Sequence, residues 1–415
     1  MNHSRGRHTM NHSRGRHWRT YALTAAVASL LLVGCSNGSA APSASGPAAS
    51  ASATGEPIDI GAVVSLTGPA VFPEASEAAK AYFDNLNASG GINGRPVRYT
   101  TIDDGGDPAK AAQAAQTLID QNKVVAMAGG ASLLECAVNA KTYATAKLMD
   151  IPGTGVDPGC FSSANISPVN TGPYSGTTVS LYYLSEVKHI SPLCDIQLNI
   201  PSFNPAFQAA VARWTTLTGK KLAQPIQFFN STDDAAPILT KMIDGGCKGI
   251  FLSLTEAPLT ALMQAAHAQG ISSSIVLMTQ SSGYTAQIAK ILGQTGQGLL
   301  GNSEFLPFTS SNPGLDNWRK VMTAAKVPLT SFSEGGYLAA QIISDTLKSI
   351  SGPITKETVQ AALLKLTSYP TPLVGTPYAF GPGTAHTPNI SSQIVQLDGG
   401  VWKAIDGNWV TLPTS

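Results

Sequence analysis

Residues 58–69 read IDIGAVVSLTGP. An apolar, β-branched run closed by Thr67-Gly68-Pro69 is the pattern of a strand buried on both faces of a parallel sheet. The residues after it turn one strand into a fold class. Ala75–Ala88 has helical spacing and stops at Ser89-Gly90-Gly91, and Val97–Ile102 is a second strand. Asp107-Pro108 opens a helix that runs to about Gln121, with Asp suited to the N-cap and Pro to the first turn. Val124–Met127, a helix over Leu133–Lys147 and a strand near Ile151–Gly155 continue the alternation.

After the Pro- and Gly-rich passage Pro168–Gly176 the pattern restarts. Helices are expected over Thr177–His189, Pro205–Thr218, Pro237–Asp244 and Pro258–Gln269. Strands are expected over Leu193–Asn199, Pro225–Phe229, Gly249–Leu254 and Ile275–Met278. Two runs of βα units predict an α/β protein of two doubly wound, parallel-sheet, Rossmann-like lobes. A length of 415 residues suits that number of domains. The tail differs: Trp318–Ala325, Glu334–Ser349 and Thr355–Leu366 read as helices, and Gln393–Leu397 with Val401–Ile405 as a hairpin around Asp398-Gly399-Gly400.

The N-terminal segment reads as an address. Residues 1–34 hold five Arg and no acid, and an apolar run from Tyr21 to Val33 follows the last of them. That run is short for a permanent span and suits a signal-peptide core. It ends at Leu32-Val33-Gly34-Cys35, which resembles the lipobox of bacterial lipoproteins, whose Cys is lipidated after cleavage. Met1–His8 recurs at Met10–His17 as a tandem duplication. Of residues 36–55, 18 of 20 are Ser, Ala, Gly or Pro, the composition of a flexible tether. The expected layout is a signal peptide over 1–34, the lipidated Cys and tether over 35–56, then the folded body. The chain has 26 basic and 25 acidic residues, so the part from Cys35 onward is net negative by four. No basic cluster suited to nucleic acid appears there.

Five Cys leave four once Cys35 is assigned to lipid. Outside the cytoplasm an even count implies disulfides, with three possible pairings. Cys136–Cys160 and Cys194–Cys247 keep each bridge within one lobe. Cys194 and Cys247 also fall at the starts of the second lobe's first and third strands, which a 2-1-3 strand order makes neighbours. There is no CxxC and no nearby His pair, so no metal site is expected. Gly296-Gln297-Gly298-Leu299-Leu300-Gly301 matches GxGxxG, but a helix precedes it and an extended stretch follows, so it reads as an inter-lobe crossing and not a dinucleotide site. No Walker A, HExxH or GxSxG motif and no nucleophile–base constellation appears, and the chain reads as neither an enzyme nor a cofactor binder.

Three stretches in order carry a family resemblance: Ile58–Pro69, then Gly90-Gly91-Ile92-Asn93-Gly94-Arg95-Pro96-Val97, then Asp103-Asp104-Gly105-Gly106-Asp107-Pro108-Ala109-Lys110-Ala111. Together they resemble type I periplasmic binding proteins, most of all the leucine/isoleucine/valine-binding proteins of ABC importers, and the resemblance extends to Ile405. It implies two lobes joined by three crossings, with lobe one over 57–170 plus 304–390 and lobe two over 171–303 plus 391–415. It also implies a monomer, anchored outside the cell membrane through Cys35, that closes on a small molecule and hands it to an ABC permease. A sensor of the same fold, reporting to a membrane receptor, is the alternative.

Ligands of open α/β sheets sit beyond the C-terminal strand ends. Ser132 follows the third strand at a helix start, where free N–H groups and a hydroxyl make a carboxylate seat, and the family uses a matching Ser. The family binds the same carboxylate through the loop here containing Thr154, Gly155 and Asp157. Phe72 falls where it has a wall for the ligand side chain. In lobe two, Phe203 stands where the family usually has Tyr, and Gln280 stands near its acidic partner for the ligand ammonium. Either Asp157 or Glu135 replaces that acid, or the ligand is not an α-amino acid; the second reading is preferred. Gln280, Ser281 and Tyr284 are then expected to hydrogen-bond an amide, a carbonyl or hydroxyls.

Overall fold

A computed structural model describes residues 52–413, Pro69, Ser231, Ser272 and Ser273 excepted. The expected signal peptide, Cys35 and most of the expected tether lie outside the described residues. Among the described residues no helix is long and apolar enough to cross a membrane.

The opening run forms β1 (Ile58–Val64), and its alternation with helices continues through α1 (Pro73–Ala88), β2 (Val97–Asp103), α2 (Pro108–Asp120), β3 (Ala126–Ala128), α3 (Glu135–Thr145) and β4 (Asp150–Ile151). The four strands make a parallel sheet in the order β2-β1-β3-β4. Asp107 caps α2 by accepting from the N–H groups of Ala109 and Lys110, as Asp before Pro should. β4 is shorter than its sequence pattern because Pro152 has no N–H to extend the ladder. Beyond it only an isolated bridge joins Ala131 to Thr154.

The second half follows with α4 (Gly172–Tyr182), β5 (Leu193–Leu198), α5 (Asn204–Thr218), β6 (Gln227–Phe229), α6 (Ala235–Asp244), β7 (Gly249–Ser253), α7 (Glu256–Ala268), β8 (Val276–Thr279), α8 (Ala286–Leu292) and β9 (Leu300–Ser303). α4 starts five residues before the expected helix, since Pro173 is tolerated in a first turn. Then come α9 (Asp316–Ala325), α10 (Ser331–Ser349), α11 (Lys356–Leu364) and the hairpin β10 (Ser391–Asp398) with β11 (Val401–Thr411).

The second sheet has the order β11-β10-β9-β8-β7-β5-β6. It is parallel from β6 to β9, and β10 and β11 add antiparallel strands at one edge. The GxGxxG stretch runs into β9: a strand follows these glycines, not a helix. Disulfides join Cys136 to Cys160 and Cys194 to Cys247, with Cα–Cα distances of 5.0 and 5.8 Å. β5 and β7 are neighbours in register, Cys194 opposite Ile250, which places Cys247 within reach.

The tail helices return to the first sheet. α10 lies across α1, and Leu338, Ile342 and Ile343 join Ile58, Ile60 and Phe83 in one buried core. Gly335 and Gly336 allow that approach. A Cβ on Gly335 would overlap the Gly153 carbonyl oxygen, and one on Gly336 that of Ala75. Because both obstacles are backbone, relief requires moving α10 as a whole. Gly336→Ala is therefore expected to destabilise the fold by about 3 kcal/mol or more, read as a lowered urea-unfolding midpoint; a change under about 0.5 kcal/mol would show that the helices can separate freely.

Candidate functional site

A cleft of about 520 Å³ lies where the C-terminal strand ends of both sheets face each other. From the first sheet it takes Phe72 after β1, Leu133 after β3 and the Thr154-Gly155-Val156 loop after β4; Phe332 on α10 joins them. From the second it takes Leu198 to Ile200 after β5, Phe203 and Phe207 on α5, Asn230 after β6, Ser253 to Thr255 after β7 and Gln280 to Ser282 after β8. A sheet's C-terminal edge is the general ligand site of open α/β folds, because helix N-termini and free loops converge there.

Two aromatic walls flank the space. The Phe72 and Phe332 rings sit 5.4 Å apart on one side. On the other, Phe203 and Phe207 pack on Tyr174, with centroids at 6.4 and 5.1 Å. The polar side chains that line the space are neutral, Glu304 excepted. Thr154 Oγ1 and both terminal atoms of Gln280 are buried without a hydrogen-bond partner, and both residues line the cleft. The lining contains no Lys, Arg or His, and its one carboxylate is Glu304.

Glu304 also holds the crossing segments. Its Oε1 accepts from the Gly172 N–H at 2.7 Å and from Asn170 Nδ2 at 3.3 Å. Asn170 in turn pairs with both backbone groups of Gly155. The Glu304 carbonyl accepts from Asn389 Nδ2, and Thr171 Oγ1 donates to the Ser391 carbonyl. Residues 170–172, 304 and 389–391, one from each passage between the sheets, are thus laced together. Burial pushes the Glu304 carboxyl up to about 7, against the pull of Asn170, Ser281 and Gly172.

The expected site residues divide. Thr154, Gly155, Phe72, Phe203 and Gln280 come together in the cleft. Ser132, Asp157 and Tyr284 are not among its lining. The Ser132 hydroxyl donates to Asp104 Oδ2 at 2.5 Å and accepts from the N–H groups of Leu134 and Glu135, which makes it a buried cap for α3. Asp157 accepts from the Cys136 and Gly159 N–H groups and caps the 3-10 turn Pro158–Phe161. Tyr284 is fully buried, stacked on Phe308 at 4.4 Å and edge-on to Trp402. Glu135 and Asp157, considered as acids for a ligand ammonium, lie behind the cleft, and Glu304 lies in it. Sequence reasoning missed Glu304 and Phe332. Glu304 had a signal, as a lone charge in the apolar stretch 299–308; Phe332 had none, since only the packing of α10 brings it to the cleft.

Known proteins agree with this architecture. The family model described as periplasmic binding protein matches residues 57–401. A possible leucine/isoleucine/valine-binding protein from Rhodopirellula baltica superposes with a TM-score of 0.71 at 18% identity, over 88% of this chain and 98% of that one. The isoleucine complex of a branched-chain amino acid transporter substrate binding protein from Streptococcus pneumoniae gives 0.70 at 16%, over 84% and 98%. An ABC-transporter solute binding protein from Rhodopseudomonas palustris in complex with 4-hydroxybenzoate gives 0.66 at 18%, over 86% and 95%. A search of curated protein sequences finds no match.

The Glu304 geometry carries a pH dependence. An acid whose folded pKa is raised binds more protons folded than unfolded, so its contribution is lost as pH rises from its ordinary range toward 7. Replacing it with Gln should flatten the fall in urea-unfolding free energy between pH 5 and 8, by up to about 1.4 kcal/mol per pH unit. An identical slope in Glu304→Gln would show that the carboxyl is charged throughout.

Proposed function

Because the chain belongs to the periplasmic binding protein family, we propose that it captures a small organic solute between two lobes outside the cytoplasm and presents it to an ABC permease. The observation that carries this reading is the cleft, shared by the C-terminal edges of both sheets and bridged by three laced crossings. The lobes are 57–170 plus 304–390 and 171–303 plus 391–415, and they hinge at the lacing. Solute binds first to the Thr154–Gly155 shelf and the Phe72 wall. Closure then brings Phe203 and Gln280 onto it. Ligand favours the closed state only through contacts with both lobes, and these residues supply one set from each.

The chemistry of the cleft narrows the solute. With no basic side chain in the lining, a ligand carboxylate must rely on N–H and O–H dipoles. With Glu304 raised to about 7, a fixed ligand ammonium has a weak counter-charge. Phe72, Phe332, Phe203 and Phe207 favour an apolar or flat body. The best fit is a solute with such a body and a neutral hydrogen-bonding head, such as an amide, a hydroxyl or a protonated or dipole-held acid. Ser132, Asp157 and Tyr284 act indirectly, by fixing the shelf and the hinge.

A thermal-shift panel of aromatic acids, amides, polyols and amino acids tests this. Ligand above its dissociation constant raises the melting temperature by mass action. A shift of several degrees is expected for an apolar-bodied compound, accompanied by a smaller radius of gyration in scattering, and Phe203→Ala should weaken that binding by about tenfold or more. No shift and no compaction across the panel would remove solute capture. We also read Cys35 as the lipid anchor. Cells fed a labelled fatty acid should label the wild type, and Cys35→Ala should lose both the label and membrane retention; retention of both by the variant would overturn the anchor.

A further inference from the structure

Gln197, Ser253, Gln280 and Asn302 form one row across the second sheet. Gln197 lies opposite Ser253 between β5 and β7. Leu252, Thr279 and Gly301 lie opposite one another in β7, β8 and β9, so the next residues, Ser253, Gln280 and Asn302, are neighbours in turn. The Gln280 N–H continues that ladder by donating to the Leu252 carbonyl at 2.9 Å. Register partners in a parallel sheet project from the same face. Here that face carries α4, whose Thr177 Oγ1 accepts from Gln197 Nε2 at 3.5 Å.

The row is polar where a sheet covered by a helix is ordinarily apolar. Gln197 and Asn302 are fully buried, and Gln280 is 3% exposed. Both amide atoms of Gln280, both of Asn302 and Oε1 of Gln197 have no hydrogen-bond partner. Gly176 lies over the Gln280–Asn302 pair: a Cβ there would come within 2.5 Å of Gln280 Nε2 and 3.0 Å of Asn302 Nδ2. Gly176 sits inside α4 with φ outside the left-handed region. Its backbone therefore does not require glycine, and a glycine inside a helix is destabilising relative to alanine. What the missing side chain provides is room for the two amide heads. Ser253 and Gln280 border the cleft, and Asn302 stands on the next strand beyond Gln280.

Two acids flank the pair on the same face. Asp195 accepts from Gln197 Nε2 at 2.8 Å and leaves Oδ2 without a partner, but β5 lies two strands from β8 and three from β9. Glu304 is held by the Gly172 N–H and Asn170. The free capacity of Gln280 and Asn302 is neutral: two carbonyl oxygens and two NH2 groups, whichever way round each amide stands. A carboxylate only accepts and leaves the carbonyls unpaired. An ammonium only donates and leaves the NH2 groups unpaired. A carboxamide does both with adjacent atoms. A site built to hydrogen-bond such a group rejects analogues without it, because its own buried groups then lack partners.

We propose that Gln280 and Asn302 form a two-amide seat for the head of the solute, that this head is a carboxamide, and that Gly176 leaves the seat its room. No hydrogen bond holds the Gln280 head, so a turn about its side-chain torsions opens the place under Gly176, beside Asn302, to the cleft. The inference rests on the solute-capture reading and narrows it to one class of solute.

The test is calorimetric titration of the full chain with benzamide, benzoate and benzylamine, which share a flat body and differ in the head. Wild type should bind benzamide more tightly than either of the others, by about tenfold or more. Asn302→Leu keeps the shape of the side chain and removes its polar atoms. It should lower the ratio of benzamide to benzoate affinity by about tenfold. Gly176→Ala should lower the same ratio, by pushing the Gln280 head off its place. Without ligand, Asn302→Leu should melt at or above the wild-type temperature, since no bond within the fold is lost. A fall of more than about 5 °C would make Asn302 a structural residue and overturn the seat. So would an unchanged ratio in either variant, or a wild type that binds benzoate or benzylamine more tightly than benzamide; both outcomes leave solute capture standing. If none of the three binds, the tightest ligand of the wider thermal-shift panel decides. One without a carboxamide overturns the seat alone, and a carboxamide passes to the Asn302→Leu comparison. No ligand at all overturns the capture reading and the seat together.

Discussion

The arrangement depends on one buried carboxylate and the segments that it gathers. Glu304 accepts from the first backbone N–H of α4 and from Asn170, while its own carbonyl accepts from Asn389. Those contacts join all three passages between the sheets at one place. A charge-assisted bond at a helix N-terminus is among the stronger ones available to a protein, which suits a point where two large bodies meet through little chain. The same residue reaches the cleft, so the lining and the crossings share one group. Burial of an acid there is costly, and its raised pKa is the physical sign of that cost.

The lobes on either side are rigid by different means. In the first, α10 seats Gly335 and Gly336 against the backbone of Gly153 and Ala75, so the shelf loop is clamped by a helix from the far end of the chain. In the second, seven strands bury an apolar core that includes Ile196, Ile250, Leu252 and Leu277. Neither disulfide crosses the cleft. Cys136–Cys160 ties α3 to the turn beside the shelf, and Cys194–Cys247 ties neighbouring strand starts of the second sheet. Covalent constraint therefore acts within each sheet and its neighbouring loops.

Much of the fold was legible from the chain alone, because its signals are local. Ile58–Val64, Leu193–Leu198 and Gly249–Ser253 are buried on both faces, and a doubly buried strand leaves a continuous apolar run. Asp107-Pro108 announced a helix start because the cap is local chemistry. Keeping each bridge within one lobe points to both disulfides, and strand order adds a reason for Cys194–Cys247 alone. The site was less legible, since a hydroxyl at a strand end can turn either way. Ser132 turned inward because Asp104, buried beneath it, needs donors. Tyr284 turned inward because Phe308 and Trp402 give its ring a tighter place than the cleft. Such choices depend on partners distant in sequence, which no local pattern records. α8 and β9 were legible only as a helix before the 296–301 glycines and an extended stretch after them, without bounds, because seven and four residues are too few to establish a period.

The distribution of charge ties these points together. Glu135, Asp150, Asp157, Asp195, Glu304 and Glu334 are all buried acids whose carboxyls burial raises. Ion pairs such as Lys80–Asp84 and Lys403–Asp398 are exposed and contribute little. Acids raised by burial favour their protonated forms, so these groups take up protons on folding as pH falls toward their ordinary range. A body of this kind gains stability in mildly acidic surroundings, where a surface-paired protein would gain nothing. Three of the six lie at or behind the cleft: Glu304 in its lining, Glu135 and Asp150 beside Thr154. Protonation of these acids therefore bears on the loops that shape the cleft.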